Sequence, residues 1–477
     1  MQKTKLAEIT KNSVDFDKFV QSIDAVDSAT EGLTEDQKRA YKAVQSGENV
    51  FITGEAGTGK SHLLERIIAN STVNTVVCAP TGIAAIKIGG ITIHKLLRLK
   101  PSQSLINNYP SKCPDTLWNA ERIIVDEISM CRSDLFSWLI NTIKMTRHKI
   151  QIIVVGDFCQ LPPVITSVDR EFFKDGNEFA FRTKEWQDCH FTNVVLHEIV
   201  RQQGDPEFTR ALNRIRMGDP RGIAYINKHS AKEKQVNNVT IASRNGQVDS
   251  INEHEAKQFD DKYVFKAEQT GRINPKDVPA EDEIELAVGE RVICTVNDRD
   301  DEYRNGTQGT IVDIDHDSVA VEDAKTGNIF TVIPHEWTSY EYKTVNVPTT
   351  EKVKVRMIDK NGKEYIEEQE RKTTKKQLKK TEIGSIIQIP LRLGYAMTVH
   401  KSQGQTFDGM NLIPAGWASG LLYVSLSRVR DVKSLHLTEP LKAYMVYLDP
   451  VVRDFYHKID PNEPEYLKPP KIRNAFD

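Results

Sequence analysis

No run of about 18 uncharged apolar residues occurs in the 477-residue chain, so no segment reads as a membrane span. The opening stretch, MQKTKLAEITKNSVDFDKF, has no apolar core and carries acids, which argues against a secretory or transit peptide. An intracellular protein is expected, cytoplasmic or nucleoid-associated if the source is prokaryotic or viral. The six cysteines (Cys78, Cys113, Cys131, Cys159, Cys189 and Cys294) are scattered without a C-x-x-C pair. That spacing argues against a disulfide framework or a zinc site and suggests reduced thiols. Positive charge is not in excess either. With 64 Lys and Arg against 67 Asp and Glu the net charge is −3, so any contact with nucleic acid has to be local. The richest basic tract, Arg371 to Lys380 (RKTTKKQLKK), follows Glu364, Glu367, Glu368 and Glu370. A solvated charged hairpin or loop and a backbone-binding patch are equally good readings of it.

The length suggests about three domains. Residues 1–30 are polar and weakly patterned. Short β-branched runs at Val73–Ala79, Arg122–Val125 and Gln151–Val155 alternate with helical patterns, as in a parallel sheet with its ligand site at the strands' carboxyl ends. A Pro- and Asn-rich stretch, Lys100 to Pro114, interrupts them as a small insertion. Similar runs return at Asn238–Ala242, Ser385–Ile389 and Ser434–Leu437. Between the first two, residues 289–321 and 331–355 alternate strand-like runs with turn signals, which suggests an inserted β-barrel or sheet.

Residues Gly54 to Ser61 read GEAGTGKS and match G-x-x-x-x-G-K-[ST]. Glycines at such positions let backbone N–H groups approach phosphate oxygens. The lysine reaches the β- and γ-phosphates, and the hydroxyl ligates Mg²⁺. The loop follows a β-rich run (Asn49 to Thr53) and precedes apolar residues at helical spacing, the order the motif requires. Asp126-Glu127 closes the run IIV, where a carboxylate can hold the metal and its neighbour can orient water. Gln160, in GDFCQLPPV, either senses a γ-phosphate or belongs to a loop held by Pro162 and Pro163.

These strings do not stand alone. LTEDQ (Leu33 to Gln37), GEAGTGKS, APTGIAAIKIGGITIH (Ala79 to His94), VDEISM, GDFCQLPPV, LHEIVRQ (Leu196 to Gln202), YAMTVHKSQGQTFD (Tyr395 to Asp408) and YVSLSR (Tyr423 to Arg428) resemble the ordered motifs of superfamily 1 helicases. The resemblance is strongest to the Pif family, with the phage helicase Dda and RecD as more distant relatives, and it runs from about Leu33 to Leu437. It implies an α/β fold of two RecA-like P-loop domains with parallel sheets, a small insertion in the first and an SH3-like β-barrel insertion in the second. The corresponding boundaries are 31–197 for the first domain with a wedge-like insertion near 95–116, and 198–260 with 384–448 for the second. Residues 261–383 would be the β-rich insertion and 449–477 a tail.

The resemblance also assigns roles. Gln37 would read the adenine edge, while Gly54, Ala56, Gly57, Thr58, Gly59, Lys60 and Ser61 would bind ATP, with Gly404, Gln405 and Arg428 contributing from the second domain. Ser61 and Asp126 would hold Mg²⁺. Lys60, Glu127, Gln160, Arg201 and Arg428 would be catalytic, the two arginines stabilising charge on the γ-phosphate. Thr81, Thr92, His94, Thr398, His400 and Lys401 would contact DNA, since short hydroxyls, imidazoles and a lysine suit phosphate contacts indifferent to sequence. His94 reads equally well as a buried, hydrogen-bonded helix residue. Arg201 also reads as an ordinary surface ion pair.

The partners implied are single-stranded DNA and single/double-strand junctions, with no membrane and a motor working as a monomer. The processes implied are replication, repair, recombination and telomere maintenance. The activity implied is ATP-driven movement 5′ to 3′ with duplex unwinding. A protein-stripping translocase or a nucleotide-gated clamp would use the same ATP site. Aromatic residues Phe51, Trp118, Phe158, Trp337 and Trp417 are each either base-stacking platforms or scaffold, and Tyr109 is the one aromatic in the wedge-like insertion.

Overall fold

The computed structural model describes residues 30–99, 105–106, 108–165, 169–198, 205–358, 364–460 and 464. The β-branched runs of the first half form a wholly parallel sheet of six strands: β1 (Val50–Gly54), β2 (Thr75–Ala79), β3 (Ile91–Thr92), β4 (Arg122–Val125), β5 (Gln151–Val155) and β6 (Thr192–Leu196). Their spatial order is β3-β2-β4-β5-β1-β6. Side chains alternate between the two faces of a strand, and here helices cover both faces, so the middles of the strands are apolar, with Arg122, Gln151 and Thr192 at strand starts. Ile52, Ile124, Ile153 and Val155 pack with Ala40, Tyr41 and Val44 of the helix Glu35–Gln45 and with Leu63, Leu64 and Ile67 of the helix Lys60–Ala69. Phe51, Ile123, Val125, Ile152 and Val154 join the opposite core with the helix Ser133–Lys144.

The stretch after Leu448, expected to be a tail, contains the helix Pro450–Ile459, which completes this opposite core. Val452, Phe455, Tyr456 and Ile459 recur at helical spacing, which explains the difference. Val452 and Tyr456 are buried, and Phe455 stacks on Phe181 with ring centroids 4.2 Å apart. The chain thus leaves the first domain, builds the second, and returns to the first.

The second parallel sheet runs in the order Ala396–Thr398, Val239–Ala242, Met410–Leu412, Leu435–Leu437. Helices Pro206–Arg216 and Leu421–Leu426 pack with it. Two parallel α/β layers result, as expected of two RecA-like domains. Ser385–Ile389 is not among these strands. Most of it belongs to the strand Glu364–Gln388, where it stays in antiparallel register with His335–Thr338.

The insertion contains a five-stranded antiparallel sheet in the order Ile329–Val332, Val319–Asp323, Gln308–Ile314, Arg291–Cys294, Leu391–Leu393. Among the described residues no pairing joins its two edges. From it extends a two-stranded ribbon, His335–Ile358 against Glu364–Gln388. Near the ribbon's root Trp337 and Ile386 are buried with Ile273 and Val278. Further along, Tyr340, Tyr342 and Leu378 pack against the first domain. There the Val77 N–H donates to the Tyr342 hydroxyl (3.0 Å), and the Leu378 N–H donates to Asn74 Oδ1 (3.1 Å). The basic tract 371–380 lies on this ribbon.

In the wedge-like region, helices Ile93–Leu96 and Asp115–Trp118 flank a connection of which 105–106 and 108–114 are described between residue 99 and the second helix. Leu105 is buried in the first-domain core, and Tyr109 is 78% exposed.

Removing two methyl groups at Val452 takes apolar surface from a closed core. We expect Val452→Ala to lower first-domain stability by about 2 kcal/mol, read as a shifted urea midpoint in the fluorescence of Trp186, which is buried in the same core. An unchanged midpoint would mean that the returning helix adds nothing to that core.

Candidate nucleotide site and domain interface

The carboxyl ends of β1, β4 and β5 bring three motifs to one edge of the first sheet. The loop after β1 turns through Gly57 (φ +91°) and Gly59 (φ +76°), the latter capping the helix that begins at Lys60. At Gly54 (φ +152°) a Cβ would lie 2.5 Å from the Leu196 carbonyl oxygen, so only glycine lets β6 pass this close. Lys60 Nζ donates to the Gly54 carbonyl (2.7 Å) and to the Glu55 carbonyl (2.9 Å). Its ammonium therefore lies folded over the loop, and burial pushes its pKa down. Ser61 is exposed.

Gln37 is spent locally. Its Nε2 donates to the Thr58 carbonyl (2.9 Å), and its Oε1 accepts from the Thr34 N–H (3.1 Å), closing a capping box. The side chain is 2% exposed, so it grips the loop from below.

Asp126 and Glu127 follow β4. Glu127 adopts left-handed backbone (φ 49°), a strained state for a residue with a Cβ and one that tends to collect at functional sites. Its N–H donates to Asp126 Oδ1 (2.9 Å). Burial first, and then the neighbouring Glu127 charge, push the Asp126 carboxyl up to about 7. A carboxylate in that state gains from a nearby cation.

After β5, Asp157 is buried and anchors a network that crosses between domains. Arg216, from the second domain's helix Pro206–Arg216, donates to it through Nη2 (2.8 Å) and Nε (3.1 Å). Burial alone would raise the Asp157 pKa; the guanidinium outweighs it and holds the carboxyl below its ordinary value. The Tyr456 hydroxyl donates to Asp157 Oδ1 (3.1 Å), accepts from the Phe158 N–H (3.0 Å) and lies 2.7 Å from Thr53 Oγ1 at the end of β1. The Arg216 guanidinium also sits 4.7 Å from the Tyr456 ring centroid.

Three residues on, Gln160 is buried, with Nε2 3.5 Å from Asp157 Oδ2. The second domain meets it there. A Cβ on Gly420 would come within 2.3 Å of the Cys159 carbonyl oxygen and 2.6 Å of that of Gln160, so the helix Leu421–Leu426 starts directly on this loop. In the same helix the Tyr423 hydroxyl accepts from the Ala56 N–H (2.8 Å).

Arg428 lies just beyond that helix and is 2% exposed. Its Nε donates to the Val424 carbonyl (2.8 Å), Nη1 to the Gln405 carbonyl (3.2 Å) and Nη2 to Ser427 Oγ (2.8 Å). The fork therefore braces its own domain. Gln405 Oε1 is buried with no hydrogen-bond partner among the described residues, and a Cβ on Gly404 would lie 3.0 Å from Lys87 Nζ of the first domain. Arg201 lies outside the described residues.

The proposed DNA contacts divide. Thr81 and Thr92 are helix N-caps, their hydroxyls accepting from the Ala84 and Lys95 N–H groups at 3.3 and 3.1 Å. Capping already explains a threonine at each. His94 is exposed and does not occupy the buried position considered for it. Thr398, 5% exposed, accepts from the Lys401 N–H (3.3 Å), while His400 and Lys401 are exposed. Phe51, Phe158 and Trp337 are core residues, whereas Trp118 and Trp417 are 48% and 58% exposed.

The sequence reading passed over Arg216, Tyr456, Tyr423, Gly420 and His197. Arg216 carries a visible signal: it continues the apolar stripe Phe208, Leu212, where a charge must find a buried partner. His197 pairs with Asp460 (3.2 Å), and its N–H donates to Asp36 Oδ2 (2.9 Å). The Asp460 hydrogen bond raises its pKa above the ordinary 6.5. A raised folded value means that this stability is complete below pH 6.5 and is lost as pH rises through the folded value. Hydrogen exchange in the Pro450–Ile459 helix should accelerate as pH rises above 6.5, after correction for the intrinsic rate, and Asp460→Asn should remove that dependence. The same corrected pH profile in both proteins would dissociate the pair from helix docking.

Residues 32–223 match the family model PIF1-like helicase. The chain is 27% identical to the ATP-dependent DNA helicase Pif1 of Campylobacter jejuni over 453 residues, covering 86% of this chain and 95% of that one. It is also 27% identical to ATP-dependent DNA helicase PIF1 of Xenopus laevis, covering 90% of this chain but spanning only 64% of that protein's length. Among solved structures, unliganded Pif1 from a Bacteroides species superposes with a TM-score of 0.75 at 26% identity, covering 90% of this chain and 98% of that chain. The Bacteroides Pif1 complex with ADP-AlF3 and single-stranded DNA gives 0.59 at 27% identity, covering 90% and 98%.

Proposed function

We propose that the chain is a PIF1-like helicase and, on that premise, an ATP-dependent DNA helicase. It travels 5′ to 3′ on single-stranded DNA as a monomer and opens duplex at junctions. One observation carries this reading: the phosphate loop, Asp126-Glu127 and Gln160 converge at one sheet edge, and Tyr423 and Gly420 of the second domain press on that edge. The loop can therefore transmit its occupancy to the second domain. That relatives carry the name ATP-dependent DNA helicase, and that a Bacteroides Pif1 binds ADP-AlF3 and single-stranded DNA, supports the same reading.

In this proposal Lys60 exchanges its two carbonyl partners for β- and γ-phosphate oxygens. The donor set suits a magnesium ion, since Ser61 offers an exposed hydroxyl and Asp126 a carboxyl crowded by like charge. Bound there, Mg²⁺ would neutralise phosphate charge. Glu127 orients the attacking water, and Gln160 reports the γ-phosphate to the interface. Arg428 and Arg201 stabilise transition-state charge, Arg428 by releasing carbonyls of its own domain as the cleft closes. Thr81, Thr92, His94, Thr398, His400 and Lys401 hold the strand by its phosphates. Opening duplex costs about 1.4 kcal/mol per base-pair step, and stacking on protein returns about 1–3 kcal/mol per base. Binding alone can therefore melt a few pairs, but directional unwinding requires the nucleotide cycle.

The primary test is ATP turnover with and without oligo-dT, followed by unwinding of 5′-tailed, 3′-tailed and blunt duplexes. Stimulation by oligo-dT with opening of the 5′-tailed substrate alone is expected. Stimulation without unwinding would favour a translocase or clamp, and no stimulation would end the motor reading. Lys60→Ala should abolish turnover while leaving the fold intact, as seen by circular dichroism. Arg428→Lys keeps the charge but loses the fork. We expect its kcat to fall by about 10³ with the KM for ATP little changed; a raised KM at normal kcat would demote Arg428 to a binding residue.

A further inference from the structure

The ribbon carries a concentration of charge that the ATP site does not use. Arg371, Lys372, Lys375, Lys376 and Lys379 fall within nine residues of one strand, in a chain whose net charge is −3. All five are exposed, and none forms an ion pair among the described residues. Opposite them in register lie Lys343, Asn346, Val347 and Thr350, with Glu351 as the one acid, facing Arg371. Lys343 is already paired with Glu341 (2.9 Å) and is left out of the set. Glu368 and Glu370 bound the belt towards the ribbon's tip.

Strand geometry distributes these charges on both sides. Successive side chains alternate faces, so Arg371, Lys375 and Lys379 share one face and Lys372 and Lys376 the other. Neighbours on a face stand about 13 Å apart, and the belt is about 27 Å long. Five cations held apart on both faces of an extended ribbon suit a partner with regularly spaced negative charge on both sides of a channel. The DNA major groove, about 12 Å wide and walled by phosphates, admits a two-stranded ribbon.

Single-stranded nucleic acid fits this surface less well. Binding a single strand exploits aromatic stacking platforms, and neither 343–354 nor 368–379 contains an aromatic residue. A partner whose bases are already stacked needs only the cations. The ribbon's position agrees with this. Its root and Thr92 line the same cavity of about 670 Å³, together with Lys95, Arg98, Arg272 and Tyr342. The belt therefore starts beside Thr92, a proposed single-strand contact, where the ribbon bonds Asn74 of the first domain through Lys376 and Leu378, and continues from there towards Arg371.

From this we infer that the ribbon is a duplex-binding arm, contacting the phosphates of double-stranded DNA through Arg371, Lys372, Lys375, Lys376 and Lys379. The inference rests on the helicase reading only for where that duplex lies, not for its binding. The test uses the full chain carrying Arg371→Gln, Lys372→Gln, Lys375→Gln, Lys376→Gln and Lys379→Gln together. Affinity for a 20-base-pair blunt duplex without nucleotide is measured across a salt series, alongside affinity for oligo-dT and oligo-dT-stimulated ATP turnover. Removing five phosphate contacts should weaken duplex binding at least tenfold and flatten the slope of log K against log salt by about 4.5. Oligo-dT affinity and turnover should remain as in the unaltered chain, which also shows that the variant folds. Unchanged duplex affinity would overturn the arm, and so would an equal loss on oligo-dT. Failure of the helicase reading would register separately, as absent oligo-dT stimulation in the unaltered chain.

Discussion

A single buried ion pair, Asp157 with Arg216, organises the space between the two α/β layers. Two charges removed from water are costly unless geometry and further hydrogen bonds satisfy them, and here both conditions hold: the guanidinium donates twice, and the Tyr456 hydroxyl and the Cys159 N–H complete the carboxylate. Each partner comes from a different part of the chain. Asp157 follows a first-domain strand, Arg216 ends a second-domain helix, and Tyr456 belongs to the helix that returns. In this arrangement all three groups are satisfied at once.

The contacts at Gly420 and Tyr423 work in the opposite sense. They are close but small: a missing Cβ against two carbonyls, and one hydroxyl on one loop N–H. Such contacts can be traded for phosphate contacts without exposing a core. The interface thus has a firm part at Asp157 and a yielding part at the loop. A nucleotide entering at the loop would act on the yielding part while the firm part keeps the domains in register.

Much of this was legible from the residues. The strand runs of the first domain were, because β-branched alternation and the polar residues that end each run leave little choice of register. So were the phosphate loop and the Asp126-Glu127 pair, whose chemistry depends on local spacing. What escaped depended on distance along the chain. Nothing near Tyr456 announces that its hydroxyl will meet Thr53, and the helix bearing it is too short for its pattern to stand out from a tail. Ser385–Ile389 misled for the converse reason: its apolar residues suit a buried parallel strand, and only pairing with a partner some fifty residues earlier makes them the root of a ribbon. Thr81 and Thr92 show a third case, in which one side chain serves local capping whatever else it binds.

The return of the Pro450–Ile459 helix to the first domain has a mechanical consequence. The second domain is attached at both of its ends, by the chain leaving after β6 and by the chain coming back before Pro450. A body pinned at one point can swivel in any direction, whereas one pinned at two can swing only about the line between them. Covalent connectivity at two points therefore restricts the ways in which the second domain can move against the first, before any ligand is present.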